Sequence, residues 1–218
     1  MELRNLAICA ILASSISGPA SAQAPTGLEA APKLEEDVGK HNSWTYRNPD
    51  AKLEKYKSFI IEPTEVNSDP TASWGNTTAE KRQKYAAMLT DALKREIGDA
   101  YTIASKPGPG VAVMRLTLLG VESTMPGVAT ASRATPMGLA LNGVKSIAGK
   151  PGSFTGSVQV AFELFDSRSM QLQFAAVRRR SPDALDIPAT ISTDATAQAV
   201  AKDVAVSIRK GLDKVHGR

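Results

Sequence analysis

The chain has 218 residues, a formal net charge of +4, one cysteine and two histidines, with aromatic residues at only 5%. That length buries enough surface for one self-supporting domain without a disulfide staple. The charge is mild, and no recognition motif or basic-aromatic stripe accompanies it, which argues against nucleic acid as a partner.

Residues 1–22 read as a secretory signal peptide. A short polar start with Arg4 leads into an apolar run from Leu6 to Ile16, then Gly18-Pro19 and small residues at Ala20 and Ala22, with cleavage after Ala22. The run is shorter than the roughly 20 residues of a membrane span. Cys9 lies inside it, preceded by Ile8 where a lipid-acceptor cysteine needs a small residue. The expected location is therefore the periplasm, in preference to an outer-membrane lipoprotein. Cleavage would leave a mature chain with no cysteine, hence no disulfide, and no cofactor is indicated.

Residues 23–43, rich in Ala, Pro, Glu and Lys, read as a flexible tether ahead of a single domain over 44–218. Trp44-Thr45-Tyr46 supplies the first aromatic anchors. A strand is expected over Lys57 to Val66, with Pro63 near its end because proline donates no ladder hydrogen bond. A polar loop carrying Trp74 precedes a long helix. Thr77 and Glu80 have capping-box spacing, Tyr85, Met88, Leu89, Ala92, Leu93 and Ile97 recur at helical period, and Gly98 closes it. A short strand over Tyr101 to Ala104 and the Pro107-Gly108-Pro109-Gly110 turn lead to Val111 to Val121. That segment is apolar on both faces, as a central strand covered on both sides would be. Arg115 interrupts it, as a snorkelling or ion-paired arginine would.

Between Glu122 and Gly152 a long Gly/Pro/Ser/Thr/Ala-rich connector carries Met137, Leu141, Val144 and Ile147 in a helix-like stripe. Two readings stand: a short helix covering the sheet, or a contact for an envelope protein or membrane surface through the 123–152 connector. Phe154 to Arg178 then alternates with period two on either side of Asp166-Ser167-Arg168-Ser169, an antiparallel hairpin. Its first run puts Phe154, Val158, Val160, Phe162 and Leu164 on one face. Its second puts Met170, Leu172, Phe174 and Ala176 together. A last helix over about 194–216 carries a narrow stripe: Ala197, Val200, Ala201, Val204, Ile208, Leu212 and Val215. The fold class expected is α+β: a two-layer α/β sandwich, with a mixed sheet of about five strands and two long helices on one face.

Catalytic constellations are scarce. His41 falls in the tether and His216 at the C-terminal tip, so a Ser-His-Asp or Cys-His arrangement has no placed base. HExxH, paired CxxC, EF-hand and P-loop patterns are absent, and no metal site is indicated. Glu62, Glu65, Glu163 and Asp166 remain as carboxylates that could pair for acid-base chemistry, although strand ends and turns carry such residues routinely.

Three stretches together suggest a family. Tyr46-Arg47-Asn48-Pro49-Asp50-Ala51 leads through Tyr56-Lys57 to Ile60-Ile61-Glu62-Pro63. Pro107-Gly108-Pro109-Gly110-Val111 opens a strand, and Phe154-Thr155-Gly156-Ser157-Val158 runs on to Glu163-Leu164-Phe165-Asp166-Ser167. In this order the chain resembles the bacterial domain-of-unknown-function family 3313, whose members are described as candidate lipoproteins. The resemblance implies an envelope protein with no catalytic residues to carry over. The expected function is a non-enzymatic adaptor, assembly factor or binding module of the envelope. The alternatives are a carboxylate-dependent hydrolase of a wall polymer, which needs Glu62, Glu163 and Asp166 in one cleft, and a carrier of a small apolar ligand.

Overall fold

The computed structural model describes residues 25–40, 42–70, 72–122, 157–181 and 193–218. The signal reading, His41 and the stripe Met137, Leu141, Val144 and Ile147 lie outside the described residues.

The strand that is apolar on both faces is the centre of the fold. β6 (Val111–Glu122) pairs antiparallel with β7 (Ser157–Asp166) on one side, and parallel with β3 (Ser58–Ile61) and β4 (Glu65–Val66) on the other. The strand expected over 57–66 is thus split in two around Glu62-Pro63-Thr64. β8 (Leu172–Arg180) completes the expected hairpin with β7. Beyond it lie β2 (Ser43–Arg47) and β1 (Glu35–Glu36), while β5 (Thr102–Ile103) borders β3. The order is β1-β2-β8-β7-β6-β3-β5, with β4 on β6: eight strands among the described residues, where about five were expected. Three pieces account for the difference. β4 is the second half of one predicted strand, and β1 and β2 come from a stretch whose Trp44-Thr45-Tyr46 alternation is too short to stand out from its surroundings.

α1 (Ala79–Gly98) and α2 (Thr193–Val215) lie on the same face of the sheet and share one core with it. The cap of α1 is Thr78, one residue later than the capping-box reading, and its side chain accepts from the Lys81 N–H. Gly98 ends the helix without leaving helical geometry, and Asp99 caps it. Small residues on α2 (Ala197, Ala201, Ala205) are buried and permit close approach to α1. The helices run in the same direction, because Lys84 and Tyr85 meet Asp194 near both starts and Glu96 meets Arg209 toward both ends. Phe59, Leu93, Ile97 and Met114 are fully enclosed between the layers. Each such side chain contributes roughly 1.5–3 kcal/mol relative to exposure.

The opposite face is covered by the segment read as a tether. Leu28 and Ala30 are buried against β6, β7 and β8, and a 3-10 turn at Ala31–Lys33 leads into β1. The segment packs because its few apolar residues meet an apolar row: Val113, Phe165, Leu172 and Ala175. Polar composition concealed that match. The hairpin carries a second correction. A register shift between Leu164 and Phe165 turns Leu172 to this face, opposite Phe174, and leaves Met170 exposed in the turn with φ of 53°.

Candidate functional site

The carboxylates fall into two groups on opposite faces. Glu163 lies on the face under the N-terminal segment, buried, and its Oε1 accepts the Ala30 N–H at 2.7 Å. Beside it, Arg115 donates to Glu62 at 2.8 Å, approaches Glu29 at 3.5 Å, and lies 4.8 Å over the Phe165 ring. Burial pushes the Glu163 carboxyl above the usual range, against the pull of the Ala30 N–H and the Arg115 charge. The arginine expected to snorkel or pair is therefore the centre of an acidic group that fastens the covering segment.

Asp166 points the other way, at the hairpin turn. Its Oδ1 accepts the Arg168 and Ser169 N–H groups at 3.1 and 3.2 Å, and its Oδ2 accepts the Tyr56 hydroxyl at 2.9 Å with Lys55 at 3.2 Å. Burial works against the charge, but these donors win and hold the carboxyl far below the ordinary aspartate value. Glu62, Glu163 and Asp166 therefore share no cleft, and each has a structural partner. His216 lies beside Tyr101, with Lys57 at 3.0 Å from its Nδ1; burial and the Lys57 charge push the imidazole below its ordinary value. Among the described residues, no group of three His, Cys, Asp or Glu side chains could hold a metal ion, and no helix is long and apolar enough to cross a membrane.

A different site emerges where the helical cover ends. Beside α2, toward β8 and β2, a groove of about 470 Å³ opens on the helix-facing surface. Its floor is Val160, Phe162 and Leu164 of β7 with Phe174 and Ala176 of β8; its wall is Val204, Ile208, Leu212 and Val215 of α2. Four cations line its rim, Arg47, Arg178, Arg180 and Lys214, and among the described residues the lining contains no carboxylate and no histidine. Arg178 is held by the Trp44 carbonyl at 2.6 Å, Thr45 Oγ1 at 2.8 Å and Asp37 at 3.1 Å. Arg180 meets Asp203 at 3.6 Å and Ser207 at 3.3 Å. At the other end Arg47 and Lys214 form no ion pair among the described residues.

The floor and wall are residues that the sequence assigns to the core, since a periodic stripe shows which residues face inward but not how much of the stripe is covered. One signal was present. Arg178 and Arg180 continue the row of Phe174 and Ala176 on the same face of β8, and cations on an apolar row mark where a core gives way to a rim.

The family model described as Protein of unknown function (DUF3313) matches residues 26–208. No curated protein matches the sequence. Among solved structures the chain is similar to a PelC dodecamer from Paraburkholderia phytofirmans, at 10% identity and a TM-score of 0.39, covering 78% of this chain and 95% of that one. It is similar to protein XCC0632 from Xanthomonas campestris, of family DUF330, at 15% identity and a TM-score of 0.39, covering 78% and 91%. A DUF4136 family protein from Bacteroides thetaiotaomicron follows at 11% identity and a TM-score of 0.32, covering 77% and 98%.

Proposed function

Because the chain belongs to the DUF3313 family of proteins of unknown function, we propose a role from its own geometry: an exported, non-enzymatic binding module of the cell envelope whose binding surface is the α2 groove. The observation that carries this reading is the lining. A concave, mainly apolar surface of this volume is what small-ligand and side-chain recognition use, and its described lining is of binding rather than acid-base character, with no carboxylate or histidine among the described residues. Export is supported by the apolar run Leu6 to Ile16 and the small residues before the cleavage point. The hydrolase alternative loses support from the placement of Glu163 and Asp166 on opposite faces of the sheet. The carrier alternative differs in asking for a closed pocket that encloses its ligand, whereas an open groove binds at the surface.

The reading is tested by replacing Ile208 with a photo-crosslinking residue and irradiating intact cells. A crosslinked product in the envelope fraction, lost when the label is moved to exposed Lys202, is the result expected. Equal products from both positions would overturn it. The mass of the mature N-terminus tests export, with cleavage after Ala22 expected. The stripe Met137, Leu141, Val144 and Ile147 remains a proposed second contact. Deleting residues 138–147 should leave the thermal transition in place and reduce recovery of the crosslinked partner.

A further inference from the structure

We infer that the α2 groove binds a single-chain anionic amphiphile, an alkyl carboxylate in the first instance, with its chain along α2 and its head group between Arg47 and Lys214. This rests on the binding-module reading and specifies its ligand.

Shape limits the occupant first. The wall residues run from Val204 to Val215 on α2, eleven steps of about 1.5 Å, so the trough is about 16 Å long. Its volume of about 470 Å³ lies in the range of small-molecule sites, roughly 300–1,000 Å³. A trough of this form suits one extended alkyl chain. The lining agrees, because Val160, Phe162, Leu164 and Ile208 offer no hydrogen-bonding group that a polar chain could satisfy.

Charge then sets the sign and the direction. Among the described residues every ionisable group in the lining is a cation, so an anionic ligand meets no described carboxylate there. The two ends differ. At the Val204 end, Arg178 and Arg180 already face Asp37 and Asp203. At the Val215 end, Arg47 lies opposite Phe174 in the β2–β8 register, Lys214 follows on α2, and neither has an acid partner among the described residues. A head group placed here gains two cations that no described acid neutralises, whereas at the other end it would compete with existing ion pairs. An uncharged amphiphile of equal length gains only the trough.

Decanoate and its uncharged counterpart decanol provide the test, titrated by calorimetry into the full-length protein with backbone NMR shifts recorded in parallel. Decanoate is expected to bind one per chain, with shifts at Ser207, Ile208, Gly211 and Leu212, and more tightly than decanol. The double variant R47E/K214E should weaken decanoate about tenfold while leaving decanol within about twofold. Ile208→Asp, which puts a negative charge in the wall, should weaken both. Absent or non-saturable decanoate binding overturns the inference, as does a decanoate affinity that the charge reversal leaves unchanged. A crosslinked protein partner from position 208 with no decanoate binding would overturn the amphiphile and leave the binding-module reading standing; failure of both experiments would remove both.

Discussion

Over β3 and β6 the helix-facing side chains lie beneath α1: Phe59, Met114, Leu116 and Leu118 are buried with its Leu89, Leu93 and Ile97. Over β8 and β2 the same surface continues, but among the described residues α2 is the last cover, and Phe174, Ala176 and Ile208 are only half-buried. The two regions share one sheet and the same kinds of side chain. What separates them, among the described residues, is how completely the helices cover them. The covered half converts apolar area into stability, and the uncovered half keeps its apolar area available to something else.

Two phenylalanine truncations should separate the halves most clearly. Phe59→Ala empties a fully enclosed site with an edge contact to Tyr101, ring centroids 5.4 Å apart. It should cost about 4 kcal/mol in chemical denaturation. Phe174→Ala removes a ring already facing the groove and should cost less than about 2 kcal/mol. Equal losses would mean that both halves are enclosed alike, and the distinction would fall.

Asp166 joins the two regions, since it holds the β7–β8 turn and the Tyr56 hydroxyl of the covered half. Asp166→Asn should cost about 3 kcal/mol at neutral pH. The folded carboxyl titrates below its unfolded value, so its stabilisation is present above about pH 4 and drains away as the pH falls through the lower, folded value. The gap between wild type and variant in thermal melts should therefore close on acidification. A gap that stays constant down to pH 3 would assign the effect to shape instead of charge.

The elements themselves were largely legible. The Tyr85 to Ile97 stripe, the two-sided β6 and the β7–β8 alternation each record a period that a buried face imposes. What could not be read was partnership. Leu28 and Ala30 sit in a Pro/Glu/Lys-rich stretch that composition assigns to solvent, and their burial depends on the apolar residues opposite them, Leu119, Ala161 and Val177 for Leu28 and Val113, Phe165 and Ala175 for Ala30. Leu172 changes face because of a bulge that leaves alternation intact on both sides of it. The groove was hidden for the same reason. Val160 and Val204 look alike in sequence whether a second helix covers them or not.

The central strand has its own irregularity, where Leu119 is the extra residue between the Leu118 and Gly120 pairings. A Cβ at Gly120 would come within 2.8 Å of the Ser73 carbonyl oxygen, which also accepts the Val121 N–H at 3.0 Å. Gly120→Ala should therefore push away the loop that carries Trp74, at a cost of about 2 kcal/mol. Its signature would be faster amide exchange at Val121, with Phe174 and the groove unaffected. Exchange that changes in the groove as well would show that the two regions are less separate than their covers suggest.

The smallest effect concerns the third surface, the one beneath the N-terminal segment, and there the sign reverses. Glu163 accepts the Ala30 N–H from a buried position, and its folded carboxyl titrates above its unfolded value. The folded protein thus holds that proton more tightly than the unfolded chain does. Stability is greatest where the carboxyl is protonated in both states, and it declines as the pH rises from the ordinary glutamate value through the raised one. Glu163→Gln keeps an acceptor for Ala30 and removes the titration. Arg115 retains Glu62, so no cation is stranded. Relative to wild type the variant should gain on the order of 1 kcal/mol between pH 4 and pH 8, read as a difference in denaturation midpoints. A difference that grows toward acid would mean that the charge of Glu163, and not only its acceptor oxygen, holds the segment down. The covering segment would then be fastened as Asp166 fastens the hairpin turn, by a carboxylate that the fold needs ionised.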